Sequence, residues 1–134
     1  MSPRAIAAVS GIYDALVGAA MLAGRPLLAA IFGVPLPQPP IFADLNGVFL
    51  LSVALGYVIP YRDPDSAGGR AYLWAMGPFL KGLGALTFVA DHLVRHSPRS
   101  FLVFAASDGT LAVLTLWTLI STSRASTASR STSA

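Results

Sequence analysis

The feature that most constrains this chain is a succession of four long apolar runs, about residues 5–24, 41–59, 70–92 and 100–121, separated by breaks rich in proline, glycine and charge. A helix needs roughly 20 mostly apolar residues to cross a hydrocarbon core of about 30 Å. The runs match that length and use up most of the chain, so the expected fold is all-α: a four-transmembrane-helix bundle in the lipid bilayer. Charged residues make up 11% of the sequence, where soluble domains carry about 25%. That difference agrees with lipid as the solvent.

The breaks can be read one by one. Ser2 can cap the first span and Pro3 can occupy its first turn. Asp14 within the run, and the three runs that follow, argue for an uncleaved first helix over a signal peptide. Arg25-Pro26 interrupts the first helix, and Leu27 to Val34 is apolar but too short to cross, which suggests a short interfacial helix. Pro35 to Pro40 removes most backbone donors and predicts a stiff, extended connector. The second span is expected to stop at Pro60, before a turn over Tyr61 to Gly69. Gly77-Pro78 predicts a kink in the third span near mid-membrane. Ser97 or Ser100 can cap the fourth span, and residues 122–134, a Ser/Thr/Ala/Arg tail with nothing to bury, are expected to be disordered. Ala7, Gly11, Ala15 and Gly18 in the first span, and Gly77, Gly82, Gly84 and Ala85 in the third, predict close approach of helix backbones.

Tyr57, Tyr61, Tyr72, Trp74 and Trp117 all fall at span ends that share one face, as an interfacial aromatic belt would. The opposite face has only Phe. Arg4, Arg62, Arg70, Arg124 and Arg130 lie on the aromatic side, against Arg25, Arg95 and Arg99 on the other. The positive-inside rule therefore places both termini in the cytoplasm.

Several function classes drop out. The sequence has no cysteine, so thiolate metal sites, iron–sulfur clusters and cysteine nucleophiles are excluded. The net charge is +3, but the nine basic residues are scattered singly and form no stripe for nucleic acid. His92 and His96 stand at metal-ligand spacing but lack a firm third ligand, and are read as a solvated helix end. Arg62-Asp63-Pro64-Asp65 reads as a turn, and no hydrolase elbow, P-loop or dinucleotide fingerprint occurs.

The chemistry, if any, rests with polar residues inside the spans. Asp14, Lys81 and Asp108 lie well within them, and Asp44 with Asn46 enters the second. An Asp or Lys at a helix centre costs about 2.5–3.5 kcal/mol on insertion scales, so these groups must face one another or a wet cavity. Counting about 1.5 Å per residue puts Asp14 and Lys81 near the midplane, with Asp108 and then Asp44 closer to the non-aromatic face. Two readings stand. One is an ion-pair network that fixes helix register. The other starts from the surplus of acid: one lysine cannot neutralise three aspartates, so at least one carboxylate is protonated, hydrated or in contact with a proton, cation or ligand. Tyr57 and Trp74 are expected to flank Lys81, forming with Phe88 an aromatic wall suited to a flat apolar ligand such as a quinone or sterol; core packing is the alternative role for them.

Tyr13-Asp14 with Gly18, Phe32-Gly33-Val34-Pro35, Asp44-Leu45-Asn46-Gly47, Gly56-Tyr57 and Lys81-Gly82, taken in order, resemble small bacterial four-helix membrane proteins of the DoxX-like kind. The resemblance covers about residues 5–121, chiefly as architecture and polar placement. It implies a multi-pass protein of the cell inner membrane with an accessory or scaffold role near quinone chemistry; the small-residue faces of the first and third spans suggest assembly as a homo-oligomer or within a larger membrane complex. The resemblance carries no catalytic residue and no resident cofactor, and a self-sufficient enzyme is not what it implies. The position of Asp14 also resembles the carboxylate of four-helix small multidrug transporters, which implies a proton- or cation-coupled transporter acting as a dimer. On the membrane reading, the protein stays with the particulate fraction after an alkaline carbonate wash and is released only by detergent; recovery in the aqueous supernatant would sink it.

Overall fold

A computed structural model describes the backbone of residues 1–131 and the side chains of residues 1–123. The described residues are helical, with no strand among them. Four helices are long and apolar enough to cross a membrane: Pro3–Ala23, Ile41–Arg62, Ala67–Arg95 and Arg99–Ser123.

The first is α1 (Pro3–Ala23). Ser2 caps it as expected, its Oγ accepting the Ala5 N–H at 3.2 Å. Gly24 ends it, and α2 (Arg25–Phe32) begins with Pro26 in its opening turn. Gly33 closes α2 with φ of 66°, the left-handed conformation that glycine adopts without Cβ strain. The proline segment up to Pro40 is irregular.

The second long helix is α3 (Ile41–Gly56) followed directly by α4 (Val58–Arg62). Pro60 was expected to stop it, but the helix runs past Pro60 and ends beyond it at Arg62. Pro60 removes only one backbone donor, and the Tyr61 and Asp63 N–H groups still bond back to Tyr57 and Ile59. The turn that follows is closed by Ser66, whose Oγ donates to the Asp63 carbonyl and accepts the Gly69 N–H.

The third long helix comprises α5 (Ala67–Trp74), a π-helical segment (Ala75–Lys81) and α6 (Gly82–Arg95). The irregularity expected at Gly77-Pro78 takes this π form. In an α-helix the Trp74 carbonyl would be offered to residue 78, where proline has no N–H; the wider π register offers it to residue 79 instead. A 3-10 turn (Arg99–Phe101) leads into α7 (Leu102–Ser131). Neither predicted serine caps that start: Ser97 Oγ donates to Asp91, and Ser100 Oγ donates to the Phe32 carbonyl at 2.8 Å. Thr122 and Ser123, assigned by sequence to a disordered tail, are helical and bond back to α7 carbonyls. The backbone of residues 124–131 continues α7 as well, and the rest of that expectation falls on residues 132–134, which lie outside the described residues.

Packing pairs α1 with α3 and α6 with α7 along their lengths, and α1 also touches α7. The second and third long helices meet through α4 and α5, at the end where the Tyr61-to-Gly69 turn joins them. The N-terminus and α7 around Thr118 to Ser123 approach that turn. Arg4 Nε donates to the Tyr61 carbonyl at 2.9 Å, Thr118 Oγ1 to the Met1 carbonyl, and an Arg70 N–H to Ser123 Oγ at 2.6 Å. At this end the core is tight: Ile6, Tyr57, Leu73 and Leu119 are buried together.

Small residues permit close approach of the helices on both sides of the ion pair. A Cβ on Gly18 would stand 2.9 Å from the Gly47 carbonyl oxygen, and one on Gly77 would stand 2.5 Å from Thr115 Cγ2. Gly18→Val is therefore expected to destabilise the bundle by about 1–3 kcal/mol, as overpacking does. Gly68→Ala, placed where a Cβ meets nothing within 4 Å, should leave it unchanged. Thermal unfolding of the detergent-solubilised variants checks the contrast.

Candidate functional site

Away from the tight end the two helix pairs diverge, and a chamber of about 650 Å³ opens between all four long helices and α2. This lies within the roughly 300–1,000 Å³ common for small-molecule sites. Three of the residues picked out by sequence converge at its inner end. Lys81 Nζ lies 2.5 Å from Asp14 Oδ1 and 3.5 Å from Asp108 Oδ1. The lysine and Asp14 are almost wholly buried, whereas Asp108 keeps 17% of its side chain accessible. Asp14 projects from the middle of α1, Asp108 from α7, and Lys81 from the last residue of the π-helical segment.

Tyr13 completes the cluster, and sequence reasoning missed its part. Its ring centroid lies 4.7 Å from Lys81 Nζ, a cation–π contact in a site removed from bulk water. Its hydroxyl meets Ser107 Oγ at 2.7 Å. Ser107 already directs its hydrogen to the Val103 and Phe104 carbonyls, so Tyr13 is the donor. The only available signal was position, because Tyr13 precedes Asp14 and thus lies one helical step from it.

The other predicted residues separate. Asn46 does line the chamber, with its Nδ2 3.5 Å from Met21 Sδ. Asp44 does not join Lys81: it pairs with Arg25 at 2.9 Å, both side chains about one-third exposed. Asp44 enters α3 in its first turn, and the start of α2 supplies a nearer cation than the midplane does. Tyr57 is buried in the tight half, edge-to-face with Tyr72 at 5.2 Å and pressed against Gly11. Trp74 points outward, 45% exposed. Neither ring flanks Lys81, because the π-helical segment lies between Trp74 and the lysine and Tyr57 faces the opposite half of α1.

The aromatic wall exists, but phenylalanines build it. Phe32 of α2 lies 5.1 Å from Phe104 and 5.5 Å from Phe101, and Phe88 of α6 lies 5.4 Å from Phe104. All four rings line the chamber. This is the Phe-only face of the sequence, turned inward. Gly84, expected to serve helix packing, instead borders the open space: a Cβ there would meet only Asp108 Oδ2, at 3.7 Å. At the same end of the molecule His92 Nδ1 meets the Ser97 carbonyl at 2.7 Å, and His96 ends α6 in a left-handed conformation, so the two histidines shape the turn.

No protein-family model, curated protein or solved structure matches the chain. The site is therefore read from its own geometry: apolar walls, a charged inner end, and an outer end bordered by Arg25, α2 and the proline connector.

Removing one member of a buried ion pair costs about 3–5 kcal/mol. Lys81→Met, which strands two carboxylates, is expected to fall in that range. Asp14→Asn should cost less, because Asp108 still faces the lysine. Unfolding midpoints of the two variants test the order; equal losses would count against Asp108 as a second partner.

Proposed function

We propose that this is a small multi-pass membrane protein that holds a quinone- or lipid-like ligand in the chamber between its helices. The observation that carries the reading is the chamber itself, whose apolar, phenylalanine-walled space ends on a buried charged cluster. Such a volume suits a ring or chain with one polar head, and intramembrane ionisable groups mark functional sites by default.

The membrane placement is supported by an inverted distribution of polarity. Leu55 is 73% exposed and Trp117 is 72% exposed, while Asp14 and Lys81 are 1% and 5% exposed. Water would reverse that order; lipid requires it. On this reading α2 lies at the interface beside the chamber mouth, Tyr61, Trp74 and Trp117 form the outward aromatic belt, and both termini share the cytoplasmic side. Placement in the inner membrane, and a role as an accessory subunit, follow from the DoxX-like resemblance. Assembly with a larger partner or a second copy, expected from the small-residue faces, has less to support it, since Gly18 and Gly77 are taken up within the bundle. The transporter alternative finds less support, because Lys81 holds the Asp14 carboxylate that would have to exchange protons.

Gly84→Leu projects a side chain toward the open space, where its Cβ meets nothing nearer than Asp108 Oδ2 at 3.7 Å. Organic extraction and mass spectrometry of protein purified from its membranes should find an apolar amphiphile with the wild type. The same extract from Gly84→Leu should be depleted about tenfold or more, a loss of at least 1.4 kcal/mol in binding. Equal amphiphile content in both would remove the chamber as the ligand site.

A further inference from the structure

Charge and hydrogen-bond accounting along the chamber narrows the ligand further, taking as given that the chamber is a ligand site. At the inner end Lys81 is engaged on three sides, by Asp14, by Asp108 and by the face of the Tyr13 ring. The Tyr13 hydroxyl is spent on Ser107. With both carboxylates ionised, the inner end has no donor to spare, but it has acceptors in surplus. Asp14 Oδ2 is buried and accepts no hydrogen bond from the protein, and Asp108 Oδ1 has only the longer 3.5 Å ion pair with Lys81, an arrangement that leaves acceptor capacity for a further donor. Both carboxylates border the chamber, but Asp14 is almost wholly buried, whereas Asp108 keeps 17% of its side chain accessible and Gly84 leaves the space beside its Oδ2 open.

The charges agree. The inner end carries two carboxylates against one ammonium, and at the outer end Arg25 is neutralised by Asp44. An anionic head would meet surplus negative charge at the inner end and an already paired guanidinium at the outer one. A head that only accepts hydrogen bonds would find no free donor at the inner end.

We propose that the chamber selects amphiphiles that enter head first and whose head donates a hydrogen bond to Asp108: a hydroxyl, including the phenolic hydroxyl of a reduced quinone, or a protonated amine. Carboxylates, phosphates and purely accepting heads such as esters are excluded from the inner end. Both accepted chemistries offer an N–H or O–H to the same oxygen, and they differ in charge.

The test uses four photoreactive probes that share one diazirine-bearing alkyl chain and differ in the head: alcohol, amine, carboxylate and methyl ester. Each is added to the full chain in lipid nanodiscs and irradiated, and the labelled residues are mapped by mass spectrometry. The alcohol, the amine or both should label the chamber wall around Phe88 and Phe104 about tenfold more than the ester or carboxylate, the advantage of a charge-assisted hydrogen bond. Asp108→Asn distinguishes the two sources. Its amide oxygen still accepts a neutral hydrogen bond from a hydroxyl, so alcohol labelling falls only about threefold, whereas ammonium labelling, which also loses the opposite charge, falls about tenfold or more. Carboxylate or ester labelling equal to the others overturns the head-group assignment and leaves the chamber as a ligand site. Failure of all four probes to label the chamber overturns the site reading and the assignment with it.

Discussion

Lys81 and Asp14 stand 2.5 Å apart with almost no exposed surface on either, and the rest of the architecture follows from keeping them together. A lysine and a carboxylate can leave water only as a pair with well-aligned partners. Their contact fixes the height of the third long helix against the first, and the 3.5 Å approach of Asp108 adds the fourth. The π-helical segment sets the angle at which Lys81 leaves its helix. A proline four residues after Trp74 would leave a straight α-helix with an unpaired carbonyl there, and the widened turn accommodates it.

The two halves of the bundle then divide the work. Toward the chain ends, glycines and threonines let backbones close on one another, and the apolar core is tight around Leu73 and Leu119. Beyond the ion pair the helix pairs separate, and larger side chains border a space that they do not fill. Helix α2 spans that opening. Its Phe32 stacks on rings of the 3-10 turn and α7, and its carbonyl at the same residue accepts the Ser100 hydroxyl. A chamber with a rigid aromatic wall and a charged inner end is the consequence of one half packing fully and the other being held apart.

Much of this was legible in the chain. The four long helices, the irregularity at Gly77-Pro78, the break at Arg25-Pro26 and the convergence of Asp14, Lys81 and Asp108 all rest on length, backbone chemistry and the energy of a lone charge in an apolar run. Other assignments depended on which way a ring faces. Tyr57 and Trp74 sit at interfacial depth by sequence, yet one turns into the core and the other outward. The phenylalanines of the opposite end were recorded only as a lack of Tyr and Trp, although they build the wall. Asp44 was grouped with the buried cluster because it shares the acidic chemistry, but Arg25 was the nearer cation.

The sequence by itself determined which segments are helical and that their charges cannot stand alone, because backbone hydrogen bonding and desolvation act on each segment locally. Tertiary structure alone decided which charge meets which, where Tyr13 and the phenylalanines point, and that a chamber opens on one side of the ion pair. Those outcomes depend on the relative rotation and divergence of helices, which are set by contacts between residues far apart in the chain.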